Sequence, residues 1–280
     1  MGRTIECFYP GRSFPSISVT GTECSLDCKH CSRRYLDGMV PAKTPEDLLS
    51  VAEALAERGA RGFLLSGGVD LSGRVDLSGF VQAIAEIKST TDLLINAHVG
   101  LAPTRELEAL VKSGVDSFSV DIYGSNDTIH DVLGLDATVD DYLRVYRDLV
   151  RLGAQVAPHI CVGIDSGRLK GEKEAVSLLR EPRPDLLILI SLIPTRGTPF
   201  QGIAPPSREM MLEVVRHARS ELPGTKLLLG CMRSKSDRSW EPDLVDAGLD
   251  GIVLPAPGTV EKLRKSGYSV KKRAECCALI

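Results

Sequence analysis

The stretch Asp185-Leu186-Leu187-Ile188-Leu189-Ile190-Ser191-Leu192 is an apolar run interrupted near its end by a single serine. A strand with apolar side chains on both of its faces has to be covered on both, as in parallel sheets that carry helices. The run is far shorter than the ~20 residues that a membrane-spanning helix needs. It therefore predicts a buried central strand of a parallel sheet.

Short apolar segments alternate with longer amphipathic segments on both sides of this run, which is typical of repeated βα units. One predicted helix starts at Thr44-Pro45-Glu46-Asp47, with a threonine cap, a proline at the first helical position and acids in the first turn. Eight such units in 280 residues predict an α/β fold, a single (β/α)8 barrel of the TIM type. The predicted strands are 17–20, 62–65, 93–96, 118–121, 156–161, 185–192, 226–229 and 251–254.

The barrel is predicted to span residues 16–268, between an N-terminal extension of residues 1–15 and a cysteine-containing tail of residues 269–280. No linker or low-complexity segment divides it. In such barrels the chemistry lies at the carboxyl ends of the strands. Functional side chains are therefore expected in the loops that follow the strands.

The charge balance of the chain excludes some classes of partner. The 34 Lys and Arg residues stand against 37 Asp and Glu residues, so nothing favours nucleic acid or a membrane surface. The first residues, Met1 to Glu6, contain no apolar signal core. We therefore expect a cytoplasmic protein, in which clustered cysteines are more often metal ligands than disulfides.

The loop Cys24-Ser25-Leu26-Asp27-Cys28-Lys29-His30-Cys31 follows the first predicted strand and carries three thiols. A structural zinc ion takes four closed ligands, and an iron–sulfur cube that only carries electrons takes four cysteines. Three cysteines leave one iron open to chelate a small molecule. A non-catalytic zinc- or cluster-binding barrel remains the alternative from the residues alone.

The spacing Cys24-x3-Cys28-x2-Cys31 resembles the loop of the radical S-adenosylmethionine (SAM) superfamily. The resemblance implies a [4Fe–4S] cluster whose open iron binds SAM and whose electron cleaves it to a 5′-deoxyadenosyl radical. His30 stands where that family usually has an aromatic residue packed on the adenine.

Further candidates for the SAM site follow other predicted strands. Ser66-Gly67-Gly68 resembles the Gly-Gly-Glu-type segment of the family, although Val69 replaces the acid and an ordinary glycine turn would look the same. Ser119 and Asp121 share one face of a strand end, where the carboxylate would accept hydrogen bonds from ribose hydroxyls. Asn96 and His98 are expected on the same side; a helix cap or a core histidine is the alternative.

Longer segments resemble the biotin synthase family. They are Asp121 to Gly153, Cys161 to Gly167, Ser191 to Phe200 with its Gly-Thr-Pro, and Leu229 to Arg233. The resemblance implies that Ile193, Pro194, Gly197 and Thr198 line the SAM pocket. Arg233 stands where biotin synthase has an arginine ligand to a second, sulfur-donating cluster.

Five cysteines lie outside the loop: Cys7, Cys161, Cys231, Cys276 and Cys277. With Arg233 they are the candidate ligands of a second iron–sulfur cluster; the alternative for Cys161 is a buried small hydrophobic residue. In this respect the chain most resembles one subunit of the archaeal-type two-protein lipoyl synthase.

That resemblance implies insertion of sulfur into an octanoyl chain on a lipoyl carrier protein or its peptide. The implied partners are a second radical SAM subunit and a ferredoxin-type electron donor. The alternative within the superfamily is a biotin synthase-like enzyme without sulfur insertion, of the hydrogenase-maturation or methylornithine synthase type.

Overall fold

A computed structural model describes residues 3–279 of the chain. All eight predicted strands are present, and three further strands join them in one sheet whose neighbours all run parallel. The strands are β1 (Thr4–Phe8), β2 (Ser16–Ser18), β3 (Val40–Pro41), β4 (Gly62–Ser66), β5 (Leu94–His98), β6 (Ser117–Asp121), β7 (Val156–Val162), β8 (Leu186–Ser191), β9 (Lys226–Leu229), β10 (Gly251–Val253) and β11 (Ser269–Arg273).

Helices follow most strands, as the βα pattern predicts. Thr44 forms a capping box with Asp47 at the first helix, with Pro45 at its start, which confirms the predicted helix signal. Within residues 3–279, no helix is long and apolar enough to cross a membrane. The helices are α1 (Pro45–Glu57), α2 (Val81–Thr90), α3 (Thr104–Lys112), α4 (Asn126–Thr128), α5 (Val139–Arg151), α6 (Glu172–Leu178), α7 (Arg208–Glu221), α8 (Glu241–Asp246) and α9 (Pro257–Lys265).

The sheet curls into a partial barrel, with the strand order β11-β1-β10-β9-β8-β7-β6-β5-β4-β2-β3. The predicted α/β barrel class is confirmed. In a closed eight-stranded barrel the first and last predicted strands, β2 and β10, would pair. Here β1 pairs with β10 instead, so the described residues show no ladder between β2 and β10.

Strand β8 shows how the two faces of the sheet are used. Leu187 and Leu189 pack in the large core beneath the helices, whereas Leu186 and Ile188 belong to a smaller cluster on the opposite, concave face. All four side chains are buried. The prediction of a strand buried on both faces is confirmed.

The C-terminal tail beyond β11 occupies the concave face. Arg61 binds Glu275 across 3.2 Å, and the carbonyl of Ala278 accepts hydrogen bonds from Ser117 Oγ at 2.7 Å and Gln155 Nε2 at 3.2 Å. Cys277 and Ala278 are buried in the same apolar cluster as Leu186 and Ile188. The flanking segments 1–15 and 269–280 each contribute a strand to the sheet, namely β1 and β11. Strand β1 pairs with β10 on one side and with β11 on the other.

We expect Ala278→Asp to lower the free energy of unfolding by about 3 kcal/mol, since it buries a carboxylate among uncharged side chains. Urea denaturation of the purified protein measures this. The control Glu275→Gln removes a half-exposed ion pair and should change the stability by less than about 1 kcal/mol. Wild-type stability in Ala278→Asp would show that the tail does not fill the concave face.

Candidate functional site

The cysteine loop, residues 24–31, is fixed by backbone contacts with two other loops. Ser25 N donates to the carbonyl of Val69 at 2.8 Å, and Val69 N donates to Cys24 Sγ at 3.4 Å. Lys29 N donates to the carbonyl of Val132 at 2.9 Å. The loops after β4 and β6 therefore hold the thiols at the carboxyl end of the sheet, where barrel chemistry is expected.

The three thiols of this loop are free and half-buried. Burial, together with the neighbouring Cys31 and Cys24, raises the pKa of Cys28 to about 12. A cationic cluster would reverse this effect, because thiolates are the metal-binding form of cysteine. The loop itself offers three thiols, one fewer than the four closed ligands that a structural zinc site takes.

His30 has the properties of a cofactor-facing ring. Burial lowers the pKa of His30 to about 4, so the ring is neutral. Its Nδ1 is buried and has no hydrogen-bond partner within residues 3–279. A buried, unsatisfied nitrogen next to three thiols fits a site that is completed by a bound group.

Close packing between two loops explains why position 68, after β4, is a glycine. A Cβ on Gly68 would lie 2.0 Å from the carbonyl oxygen of Glu23 and 2.6 Å from Cys24 Cβ, so no side chain fits between the two loops. Gly68 N donates to Thr20 Oγ1 at 2.7 Å. The nearby Asp70 does not replace the missing family acid, because its Oδ1 accepts three hydrogen bonds from its own turn.

Polar side chains from β5, β6 and β7 form a row on the concave face. Asn96 Nδ2 donates to Ser119 Oγ at 3.0 Å, and His98 Nε2 lies 3.1 Å from Asp121 Oδ2. Burial opposes the charge on both partners of the second pair. Nevertheless, the Asp121 carboxylate raises the pKa of His98, and His98 lowers the pKa of Asp121. The structure thus brings together four residues that the sequence predicted as neighbours.

His159 belongs to the same row and was missed by the sequence analysis. Burial lowers its pKa to about 4, and its Nδ1 lies 2.9 Å from the carbonyl of Ala157, which leaves Nε2 as the acceptor. Its register pairs it with Asp121 of β6. The alternation Ala157-Pro158-His159-Ile160-Cys161 is the signal that would have placed it on this face.

The segment 193–198 lies against the turn that follows the cysteine loop. Thr195 Oγ1 is 3.1 Å from Tyr35 Oη, and a Cβ on Gly197 would lie 2.8 Å from the guanidinium of Arg34. Ile193 and Pro194 are half-buried, whereas Thr198 is buried and its hydroxyl donates to the carbonyl of Thr195 at 2.8 Å. The hydroxyl of Thr198 therefore stabilises the turn of this segment.

Cys231, Cys276 and Cys277 come together on the concave face, and we call them the second thiol group. The Cys277 thiol lowers the pKa of Cys276 to about 7, although burial opposes this, and Asn96 Nδ2 also donates to Cys276 Sγ at 3.9 Å. Cys231 is exposed, yet desolvation by surrounding residues raises its pKa, and the nearby Cys276 raises it further. Chain positions about 45 residues apart thus bring three thiols near enough to interact electrostatically.

The other candidates for a second cluster lie elsewhere. Cys7 is fully buried in β1 near Glu241, and burial raises its pKa to about 11. Cys161 packs against the same apolar cluster as Cys24 and Cys28, whereas Cys276 and Cys277 belong to a different cluster. The Cys7 and Cys161 thiols are therefore not gathered with the other three.

Arg233 is not placed as a cluster ligand in this structure. Its side chain is 1 % exposed, with Nη2 bonded to Glu241 Oε1 at 2.7 Å and Nη1 to the carbonyl of Gly230 at 2.6 Å. The sequence resemblance placed it correctly after β9, but its guanidinium is engaged by the carboxylate of α8.

Comparisons with known proteins agree with this geometry. The sequence model of the Radical SAM superfamily matches residues 18–180, which is more than half of the chain. The biotin synthase of Syntrophotalea carbinolica is 25% identical over 248 residues, covering 85% of this chain and 74% of that protein. The biotin synthase of Bordetella avium is 23% identical over 249 residues, covering 86% and 75%.

Solved structures show the same fold. The [FeFe]-hydrogenase maturase HydG from Carboxydothermus hydrogenoformans has a TM-score of 0.67 at 18% identity, covering 95% of this chain and 67% of that one. Methylornithine synthase (PylB) has a TM-score of 0.66 at 16% identity, covering 97% and 84%.

We expect the His98–Asp121 pair to give a pH-dependent stability. The pKa of His98 is raised. The stability gained from protonated His98 is therefore complete below 6.5, the ordinary pKa of histidine, and is lost as the pH rises through the raised pKa. The pKa of Asp121 is lowered. The stability gained from ionised Asp121 is therefore present above 3.8, the ordinary pKa of aspartate, and is lost as the pH falls through the lowered pKa.

Thermal unfolding of wild type and His98→Gln, from pH 4 to pH 9, measures this contribution. The difference in melting temperature should be greatest between about pH 4 and pH 6.5 and should shrink at higher pH. His130→Gln, at an exposed histidine, is the matched control and should show no such trend. A difference in melting temperature between wild type and His98→Gln that does not vary with pH would show that His98 and Asp121 do not form an ion pair.

Proposed function

This chain belongs to the radical SAM superfamily and uses its [4Fe–4S] cluster and SAM, and we propose that it inserts sulfur at an unactivated C–H bond, in lipoyl biosynthesis. The observation that carries the proposal is the second thiol group, which lies apart from the cysteine loop on the concave face. Removal of hydrogen from carbon requires only the first site. A second group of thiols in the same barrel has a use if sulfur is transferred.

Cys24, Cys28 and Cys31 would hold the first cluster. When bound, the cluster and SAM together supply a 5′-deoxyadenosyl radical. Gly67 and Gly68 bring bare backbone close to this loop, and His30 offers a neutral ring with a free nitrogen. Asp121, kept ionised by His98, is suited to accept hydrogen bonds from ribose hydroxyls.

The second thiol group would hold the sulfur-donating cluster. Its three thiols come from the loop after β9 and from the tail, and Asn96 supplies a hydrogen-bond donor to Cys276. Cys277 is buried in the apolar cluster, Cys276 is half-buried and Cys231 is exposed, so the group lies at an edge of the concave face that a substrate can reach. Arg233 and Cys7 are left out of this ligand set because their side chains face other partners.

The half of the concave face next to Cys276 suits an aliphatic substrate. Ile190, Leu254 and Cys276 are partly exposed, and each packs against the apolar cluster. An octanoyl chain on a lipoyl carrier protein or peptide would lie on this surface by burying its methylenes, each worth roughly 0.8 kcal/mol. The partners in this proposal are that carrier, a second radical SAM subunit and a ferredoxin-type electron donor.

A second function has one observation in its favour. The row of Asn96, Ser119 and His159 gives the other half of the concave face a polar lining, which suits a polar substrate. The enzyme would then be a biotin synthase-like radical SAM enzyme without sulfur insertion, as in the hydrogenase-maturation or methylornithine synthase type. The second thiol group would hold no cluster in that case.

Replacing Cys24, Cys28 or Cys31 by Ala should abolish formation of 5′-deoxyadenosine, because the open iron exists only when three cysteines hold the cluster. The measurement is chromatography of products after anaerobic reconstitution and chemical reduction. Cys7→Ala, which changes a thiol buried on the helix-facing side, should retain the activity. SAM cleavage at the wild-type rate in any loop variant would refute the assignment.

The variant with Cys24, Cys28 and Cys31 all replaced by Ala tests for a second cluster. It should still bind about four irons per chain, and adding Cys276→Ser should remove them. Iron analysis and electron paramagnetic resonance measure both, with Cys7→Ser added to the triple variant as the matched control. A triple variant without iron would mean that no second cluster exists, and would favour the enzyme without sulfur insertion.

A further inference from the structure

Leu254, the residue after β10, has a strained backbone. Its φ is +49°, in the left-handed region that glycine enters freely and that a leucine enters at a cost. Strained residues persist where the surroundings enforce them, and they concentrate at functional sites. Glycine would adopt this turn without strain. The presence of leucine therefore indicates that the side chain itself has a role.

Two arginines hold the Leu254 peptide in place. Its carbonyl accepts hydrogen bonds from Arg233 Nη2 at 3.2 Å and from Arg238 Nη1 at 3.0 Å. Its N–H donates to the carbonyl of Phe8 in β1 at 2.8 Å. Both polar groups of this peptide are therefore engaged, which fixes the direction of the side chain.

The buried Arg233–Glu241 ion pair stabilises the same loop. Glu241 is fully buried; its Oε1 binds Arg233, and its Oε2 accepts hydrogen bonds from Ala256 N at 2.9 Å and Thr259 Oγ1 at 2.6 Å. A buried ion pair adds little stability compared with apolar packing, so its value lies in the geometry that it specifies. Here that geometry is the loop that carries Leu254.

The side chain of Leu254 contributes to the functional face. It packs on the apolar cluster of the concave face together with Ile190 and Cys276, at the edge of that cluster that stays partly exposed. The strained turn thus places an aliphatic side chain against the same apolar cluster on which Cys276 packs. Sequence resemblance had pointed to Arg233 itself, whereas the structure directs attention to the residue that Arg233 holds.

We propose that Leu254 is a specificity-determining residue: its side chain is the surface on which the aliphatic chain of the substrate lies beside Cys276. This inference rests on the proposed function, because it takes an aliphatic chain as substrate. The Arg233–Glu241 pair and Arg238 are positioning residues, which act by holding the Leu254 peptide.

The backbone part of the proposal is tested by stability. Leu254→Ala loses the packing and keeps the strain, whereas Leu254→Gly loses the packing and relieves the strain. The melting temperature of Leu254→Gly should therefore equal or exceed that of Leu254→Ala, the reverse of the usual order. A clearly lower melting temperature for Leu254→Gly would overturn the assignment of strain.

The side-chain part is tested on the full chain without clusters. Alkylation of Cys276 by iodoacetamide, followed by peptide mass spectrometry, should be severalfold faster in Leu254→Ala than in wild type, because the leucine covers one side of the thiol. Leu71→Ala, at a leucine that is 79% exposed on another loop, is the matched control and should match wild type. Equal rates in Leu254→Ala and wild type would overturn the placement.

The specificity part is tested with the reconstituted enzyme, its second radical SAM subunit, a chemical reductant and an N-octanoyl-lysine peptide. Leu254→Ala should yield severalfold less sulfur-containing product per 5′-deoxyadenosine formed than the wild-type enzyme does. Leu254→Met, which conserves volume, should restore the ratio. An unchanged ratio in Leu254→Ala would overturn the specificity role.

Failure of the proposed function has a different signature, because it is seen in wild type. If the wild-type enzyme makes 5′-deoxyadenosine but no sulfur-containing product from the octanoyl peptide, the proposed function is wrong for that substrate, and the role of Leu254 towards an aliphatic chain is overturned with it. If wild type makes the product and Leu254→Ala makes it with the same ratio, only the inference on Leu254 fails.

Discussion

The alternation of side chains along parallel strands is the constraint on which the rest of this molecule depends. In β8, Leu187 and Leu189 pack in the core beneath the helices, whereas Leu186 and Ile188 pack on the concave face. The same alternation turns Asn96, His98, Ser119 and Asp121 towards one another. A shift of one residue in the register of any of these strands would move its functional side chains into the helix-facing core.

The concave face that results has two chemically different halves. Strands β5 to β7 contribute hydrogen-bonding and ionisable groups, whereas β8 to β10, β1 and the tail contribute an apolar cluster. The polar half satisfies its buried groups in pairs, so that Asp121 remains charged next to His98. The apolar half brings Cys276 and Cys277 into a region with little water. In the function proposed above, such a division would give a polar cofactor and an aliphatic carbon adjacent sites.

The way in which the sheet is closed explains how the tail reaches that region. Because β1 pairs with β10 and β11, the sheet has edges at β3 and β11, and the chain after β11 passes along residues 13 and 61 before it turns onto the concave face. Residues that look like an appendage in the sequence thereby become part of the interior. The buried Arg233–Glu241 pair likewise serves the Leu254 turn beside this tail.

The sequence by itself determined the class of fold and proposed the residues of the first site, because both depend on local signals. Apolar periodicity and helix caps identify βα units, and three cysteines within eight residues must lie close together in any fold. Pairs such as Asn96 with Ser119 were also predictable, since neighbouring parallel strands end at the same edge. Only the tertiary structure decided which distant residues meet: it joined Cys231 to Cys276 and Cys277, separated Cys7 from them, and gave Arg233 to Glu241. Sequence spacing carries no information on such contacts, because the path of a terminal tail and the direction of a long side chain are settled by packing and by the pairing of buried charges.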